Sequence, residues 1–185
     1  MLPGILFTFE PGWIKNNKAM NKTPHSFYTI RFTDCDPFGH LNNARYIDYF
    51  LNAREDHLKE EYRLDLTEFY QQGVSWLVAG HEISYLRPAN YNERVSIKTG
   101  LINLAPGSVL VEMIMMDEKH SHLKSVMWTS FIHVNVKTGK KENHSAEFMD
   151  FARAIEITDV DISKGYQHRL KEIIENMKQQ KGTLS

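Results

Sequence analysis

The amino-acid sequence predicts an α+β domain in which one long helix lies against a curved antiparallel sheet. Three observations point to it. Residues 43–61 carry apolar side chains at helical spacing over about five turns. Four segments between residues 74 and 136 are rich in Val, Ile, Thr and aromatics, as strands are. The last three of these are joined by short turns, which suits antiparallel pairing.

Taken in order, residues 1–24 read as an irregular arm containing Pro3, Pro11 and Pro24. Residues 25–34, HSFYTIRFTD, read as a strand, because Tyr28, Ile30 and Phe32 alternate with Thr29, Arg31 and Thr33. The loop CDPFGHLN follows, with Pro37 and Gly39 as breakers. A helix then runs from about Asn43 to Glu61, with Asn42 or Asn43 as its N-cap. Its stripe is Tyr46, Ile47, Phe50, Leu51 and Arg54 or Leu58. So long a stripe calls for a broad sheet. A shorter helix, Thr67 to Gln72, ends at Gly73.

The four strand segments are VSWLVAGHEISYLRP, ERVSIKTGLINLA, SVLVEMIMMDEK and LKSVMWTSFIHVNV. Alternation is clear in Val95, Ile97, Thr99 and Leu101, and again in Val126, Trp128, Ser130, Ile132 and Val134. Beyond them, EFMDFARAI is a short helical segment. Tyr166, Leu170, Ile173, Ile174 and Met177 then form an amphipathic stripe expected to dock on the domain. The chain thus divides into an arm (1–24), a main domain (25–140) and a C-terminal helical extension (141–185).

Composition narrows the function classes. Hydrophobic residues make up 42% and charged residues 24%, as in a globular chain. The net charge of −1 gives no electrostatic footprint for nucleic acid or an anionic membrane surface. Cys35 is the single cysteine, so no intrachain disulfide forms. No apolar run approaches the roughly 20 residues of a membrane span, and the N-terminus lacks the basic start of a signal peptide. A cytoplasmic location is the expectation.

The chemistry concentrates in RFTDCDPFGHLNNARYIDYFLNARED, which sets two aspartates, a histidine and two asparagines between a strand end and a helix start. A helix N-terminus presents unpaired N–H groups able to stabilise a developing oxyanion. A carboxylate a few residues upstream can act as general base or nucleophile. Ester or thioester hydrolysis needs these two parts. The same Asp-x-Asp pattern also serves plain turn and capping chemistry.

The motif Asp34-Cys35-Asp36-Pro37-Phe38-Gly39-His40-Leu41-Asn42-Asn43-Ala44-Arg45-Tyr46, with Glu82-Ile83-Ser84-Tyr85-Leu86-Arg87-Pro88-Ala89, resembles the 4-hydroxybenzoyl-CoA thioesterase branch of the hotdog superfamily. It is also similar to bacterial long-chain acyl-CoA thioesterases and plant-type acyl-ACP thioesterases. The resemblance covers roughly residues 25–140 and implies a hotdog fold, the long helix wrapped by the sheet. It implies an acyl-CoA substrate, with acyl-ACP as the alternative carrier, and a homodimer or homotetramer whose sites form between subunits. It matches Asp36 to the catalytic carboxylate, the Asn43 N–H to the polarising amide, and His40 and Asn42 to residues lining the site. No metal or redox cofactor is called for. A non-catalytic acyl-binding hotdog protein is the reading from another class.

Departures from related patterns also count. Some hotdog thioesterases carry their acid on the central helix, where this chain has Glu55 and Asp56; these read first as solvated helix charges. The Asp36-to-His40 spacing is one residue short of the hydratase pair, and the dehydratase His-Phe-Pro signature is absent. Cys35 reads as a small filler whose thiol the flanking carboxylates disfavour ionising. His120 and His122 read as a solvated turn, and His81 and His133 as satisfied sheet residues. Met113, Met115 and Met116 read either as acyl-tunnel lining or as core. Arg87, Lys98 and Lys137 are candidates for the CoA phosphates and read first as surface charges, while Trp76 and Trp128 read as core or interface.

Overall fold

The computed structural model describes residues 20–182. Most of the proposed arm, residues 1–19, therefore lies outside the described residues, as do residues 183–185. The elements are β1 (His25–Thr29), α1 (Asn43–Tyr62), α2 (Leu66–Gln71), β2 (Val74–Tyr85), β3 (Arg94–Ala105), β4 (Ser108–Asp117), β5 (Leu123–Asn135), α3 (Ala146–Ile155) and α4 (Tyr166–Gly182). The strands form one antiparallel sheet in the order β1-β3-β4-β5-β2.

One expectation needs correction. The strand predicted over 25–34 ends at Thr29, and Phe32–Asp34 form a single 3-10 turn. The reason lies in the partner: Thr29 pairs with Arg94, where β3 begins, Ile30 still bonds to Glu93 and Asn92, and at Asn92, with φ +62°, the partner segment turns away. Phe32, released from the sheet, is 75% exposed.

The inner face of the sheet carries Val95, Ile97, Leu101, Val111, Met113, Met115 and Met127 against Tyr46, Phe50 and Ala53 of α1. Met113 and Met115 are therefore core residues. α3 extends this core with Phe148, Phe151, Ala152 and Ile155. The outer face is covered too. Val126 and Trp128 of β5 and Ile114 of β4 pack against Tyr166, Leu170 and Ile173 of α4. β5 is consequently buried on both faces from Leu123 to Thr129. The C-terminal stripe thus finds its apolar partner within the chain, and the architecture has three layers.

A polar clamp holds α4 in place. Arg169 donates from Nε and Nη2 to Glu112, 3.0 Å each, and Trp128 Nε1 donates to the same carboxylate at 3.0 Å. The Glu112 side chain is 6% exposed. Without Glu112, Arg169 keeps Glu172 at 3.6 Å and is 22% exposed, so its charge is only partly uncompensated while the Trp128 N–H loses its acceptor, at a cost of about 1–3 kcal/mol. Glu112→Ala is therefore expected to lower the urea midpoint by that equivalent. Glu112→Leu combined with Arg169→Leu is expected to recover most of it, because no charge is then left buried. An unchanged midpoint in Glu112→Ala would show that the clamp contributes nothing.

Candidate active site

The loop between β1 and α1 is built as a turn closed on Asp36. Gly39 N–H donates to the Asp36 carbonyl at 3.0 Å, and Pro37 sits at the position where its fixed φ suits such a turn. Gly39 has φ +75°, which a residue with a Cβ adopts at a cost. The Asp36 side chain braces the same turn: Oδ1 accepts from Phe38 N–H at 2.9 Å and from His40 N–H at 3.1 Å. Its second oxygen, Oδ2, accepts no hydrogen bond among the described residues and the side chain is half-buried.

The loop is pinned to the rest of the fold by backbone. Asp36 N–H donates to the His40 carbonyl at 2.8 Å, Asn42 N–H to that of Asp34 at 2.9 Å, and Leu41 N–H to that of Ala89 at 2.8 Å. The Tyr46 hydroxyl, on the buried side of α1, accepts from Ala89 N–H at 2.9 Å. The Tyr85 hydroxyl donates to the Asn43 carbonyl at 2.9 Å. These two tyrosines tie the helix start to the end of β2 and the turn after it. Both stand in the two motifs that carry the family resemblance, but the periodicity places them only as a stripe and a strand residue, and their hydroxyl partners are set by the tertiary fold.

The first turn of α1 yields a clear accounting. Asn42 is the N-cap, its Oδ1 accepting from Ala44 N–H at 3.0 Å, and Arg45 N–H donates to the Asn42 carbonyl at 2.8 Å. Asn43 N–H, between them, has no acceptor among the described residues. It is the orphan donor that a helix start leaves over. Asn42 is partly spent on capping; its side-chain NH2 has no partner among the described residues. His40 contributes backbone bonds to the turn, and its ring makes none among the described residues.

The neighbouring charges have structural partners. Tyr49 hydroxyl donates to Asp34 Oδ2 at 2.9 Å, and Tyr28 hydroxyl to Asp56 Oδ2 at 2.6 Å. Asp56 is thus a hydrogen-bonded partner of β1 and not a solvated charge. Cys35 Sγ donates to the Arg31 carbonyl at 3.3 Å, and burial, then the carboxylates of Asp34 and Asp36, push its pKa up. His81 and His133 bond to Thr129 Oγ1 and the Glu142 carbonyl. His122 sits in the β4–β5 turn, whose carboxylate Asp117 accepts from Ser121 and His122.

A separate apolar cavity of about 220 Å³ lies deeper, between α1, α3 and the sheet. Leu58, Trp76, Val111, Phe131 and Phe148 line it, together with Arg54 and Glu55. Arg54 is the residue whose importance the sequence understated. A cation within an apolar helical stripe was the available signal.

A curved antiparallel sheet around one long helix, with an acid-bearing loop at that helix's start, is the hotdog architecture of thioester hydrolases. The chain belongs to the thioesterase-like superfamily, whose family model matches residues 30–159. It is 24% identical over 111 residues to the long-chain acyl-CoA thioesterase FadM of Escherichia coli, covering 60% of this chain and 83% of that protein. Among solved structures, the DHNA-CoA thioesterase of Staphylococcus aureus superposes with a TM-score of 0.65 at 20% identity, covering 71% of this chain and 87% of that one. The probable thioesterase YbaW of Escherichia coli superposes at 0.62 and 21% identity, covering 71% and 98%. No helix among the described residues is long and apolar enough to cross a membrane.

Proposed function

We propose that this protein hydrolyses an acyl-CoA thioester to the free acid and CoA, with Asp36 as the acting carboxylate. The observation that carries the reading is the Asn43 N–H at the start of α1, next to a loop that carries Asp36 Oδ2, both unpaired among the described residues. The thioester carbonyl accepts from Asn43 N–H, which stabilises the oxyanion as it forms. Asp36 takes a proton from an attacking water, or attacks the carbonyl itself to give an anhydride that water then opens. In either course the C–S bond breaks and the CoA sulfur leaves, taking up a proton. His40 and Asn42 orient the water or the substrate, Asn42 through its free NH2.

We place this chemistry in the cytoplasm and between two copies of the chain. Phe38, Phe32 and Tyr91 are 83%, 75% and 55% exposed around the Asp36 loop, an apolar rim suited to a partner or substrate. β2 is a sheet edge that exposes Leu77 and Val78 at 55% and 44%. An uncovered apolar edge favours pairing with another strand. Light scattering is expected to show a dimer or tetramer, and Val78→Lys to shift it toward monomer. A wild-type monomer at all concentrations would sink this part of the reading.

The test of activity is thiol release from a panel of acyl-CoAs, aliphatic from short to long and benzoyl types. Release establishes the reaction. Faster turnover of matched acyl-ACP would change the carrier, and tight acyl-CoA binding with no release would identify an acyl-binding hotdog protein instead.

A further inference from the structure

We propose that the cavity between α1, α3 and the sheet is a binding site for an aliphatic carboxylate of about six to ten carbons, its head group paired with Arg54. The side chains that line it are almost wholly apolar, yet Arg54 stands among them with 8% exposure. Its Nη1 is buried and has no hydrogen-bond partner among the described residues. A buried guanidinium with one nitrogen left unpaired and no counter-charge is among the costliest groups a fold can hold, and proteins pair such charges. The polar neighbours here do not supply the missing anion. Tyr62 hydroxyl interacts with the guanidinium but donates its own proton to the Asn21 carbonyl at 2.6 Å. His57 is bonded to Thr99 and Ser26. Glu55 lies at the cavity's exposed side and forms no ion pair with Arg54.

The composition of the cavity fixes the class of ligand. Leu101, Val109, Val111, Phe131 and Phe148 offer no polar atom of their side chains, so the body of the ligand is hydrocarbon. A carboxylate matches the planar donor fork of Arg and forms charge-assisted bonds. A volume of about 220 Å³ holds about seven non-hydrogen atoms at roughly 30 Å³ each, so the carboxylate and the carbons up to about the fifth lie inside and the rest of a longer chain reaches the open side. Glu55 at that open side disfavours a second anionic group there.

The chemistry has two sources: a free carboxylic acid, or the terminal carboxylate of an acyl chain still joined to its carrier. The test for the site itself is calorimetric titration of the full chain with hexanoate, octanoate and decanoate, against octanol and octanamide. Octanoate is expected to bind saturably and at least about tenfold more tightly than octanol, as a charge-assisted bond supplies. Arg54→Met keeps the volume and removes the charge, a change that folds tolerate well. It is expected to abolish the preference for octanoate over octanol. Equal binding of the two by the wild type would overturn the proposal without any variant, and a preference retained in Arg54→Met would overturn the role of Arg54. The source is read from turnover, an arm that rests on the proposed thioesterase activity. A loss of kcat/KM in Arg54→Met confined to ω-carboxyacyl-CoA identifies the substrate's own terminus. Unchanged turnover of all thioesters, with octanoate binding lost, identifies the free acid. If no thioester is turned over at all, the titration still decides the site.

Discussion

Asp36→Asn is expected to reduce thiol release by about 10²–10⁴-fold, the range that a positioned base contributes, without unfolding the protein. The choice of Asn matters. Asp36 Oδ1 accepts from Phe38 N–H and His40 N–H, and an amide oxygen in the same place accepts from both. The turn is kept, and what disappears is the basicity and charge of the second oxygen. Asp36→Ala removes both bonds as well, so it is expected to lose about 1–2 kcal/mol of stability besides activity. The two variants together separate chemistry from scaffolding. Full activity of Asp36→Asn on every accepted thioester would remove Asp36 from the mechanism. A loss of activity matched by a loss of Tm would leave Asp36 as a turn residue only.

The second large effect concerns acid. Stability is expected to fall steeply between about pH 6.5 and pH 4, by up to about 6 kcal/mol in total from two buried histidines. His57 is 1% exposed, held between Thr99 Oγ1 at 2.8 Å and Ser26 Oγ at 3.1 Å. Burial, then the charge of Arg54, pushes its pKa down from 6.5 to about 4. Asp56 opposes this and His25 adds to it. His144 is 8% exposed, and burial, then His133, pushes it to about 4. Its Nε2 accepts from Trp76 Nε1 at 3.1 Å and its Nδ1 donates to the Ala105 carbonyl at 3.2 Å, so a second proton breaks the Trp76 bond. Both imidazoles are neutral in the fold at a pH where the unfolded chain has bound protons. The unfolded state is therefore favoured as pH falls through this window, on the order of 3 kcal/mol for each histidine. Above pH 6.5 the contribution is complete.

Asp117 acts in a lower window. Burial raises its carboxyl, but hydrogen bonds from Ser121 and His122 outweigh this and bring it to about 2 from 3.8. Its contribution is present above pH 3.8 and is lost as pH falls through 2. Urea unfolding from pH 7.5 to 4 resolves the histidine window. A flat profile would show that neither ring is buried neutral, and His57→Gln is expected to flatten about half of the slope.

Much of this fold was legible in the residue pattern. The stripe on α1 and the alternation of Val95, Ile97, Thr99 and Leu101 both depend on local periodicity, and all four of those β3 residues are buried on the helix side. The helix caps were readable for the same reason: Asn42 needs only its own neighbour, Ala44 N–H. The end of β1 was not, because a strand ends where its partner turns away, and that partner, the segment Asn92 to Arg94, lies more than 60 residues away along the chain. The side of the sheet taken by α4 was equally illegible. Trp128 and Val126 alternate correctly for either face, and only contact with Tyr166 and Leu170 decides between them.

The candidate site divides along the same line. By itself the sequence determined that a carboxylate, a histidine and two asparagines cluster at a helix start, because these groups lie within eight residues of one another. Only the tertiary structure decided which amide is left without a partner, since that depends on every other claim on the first turn of α1. It alone decided, too, that Arg54 stands in an apolar cavity with its Nη1 unpaired among the described residues. A helical stripe says that a side chain turns inward, whereas what it meets there is set by elements brought in from distant parts of the chain.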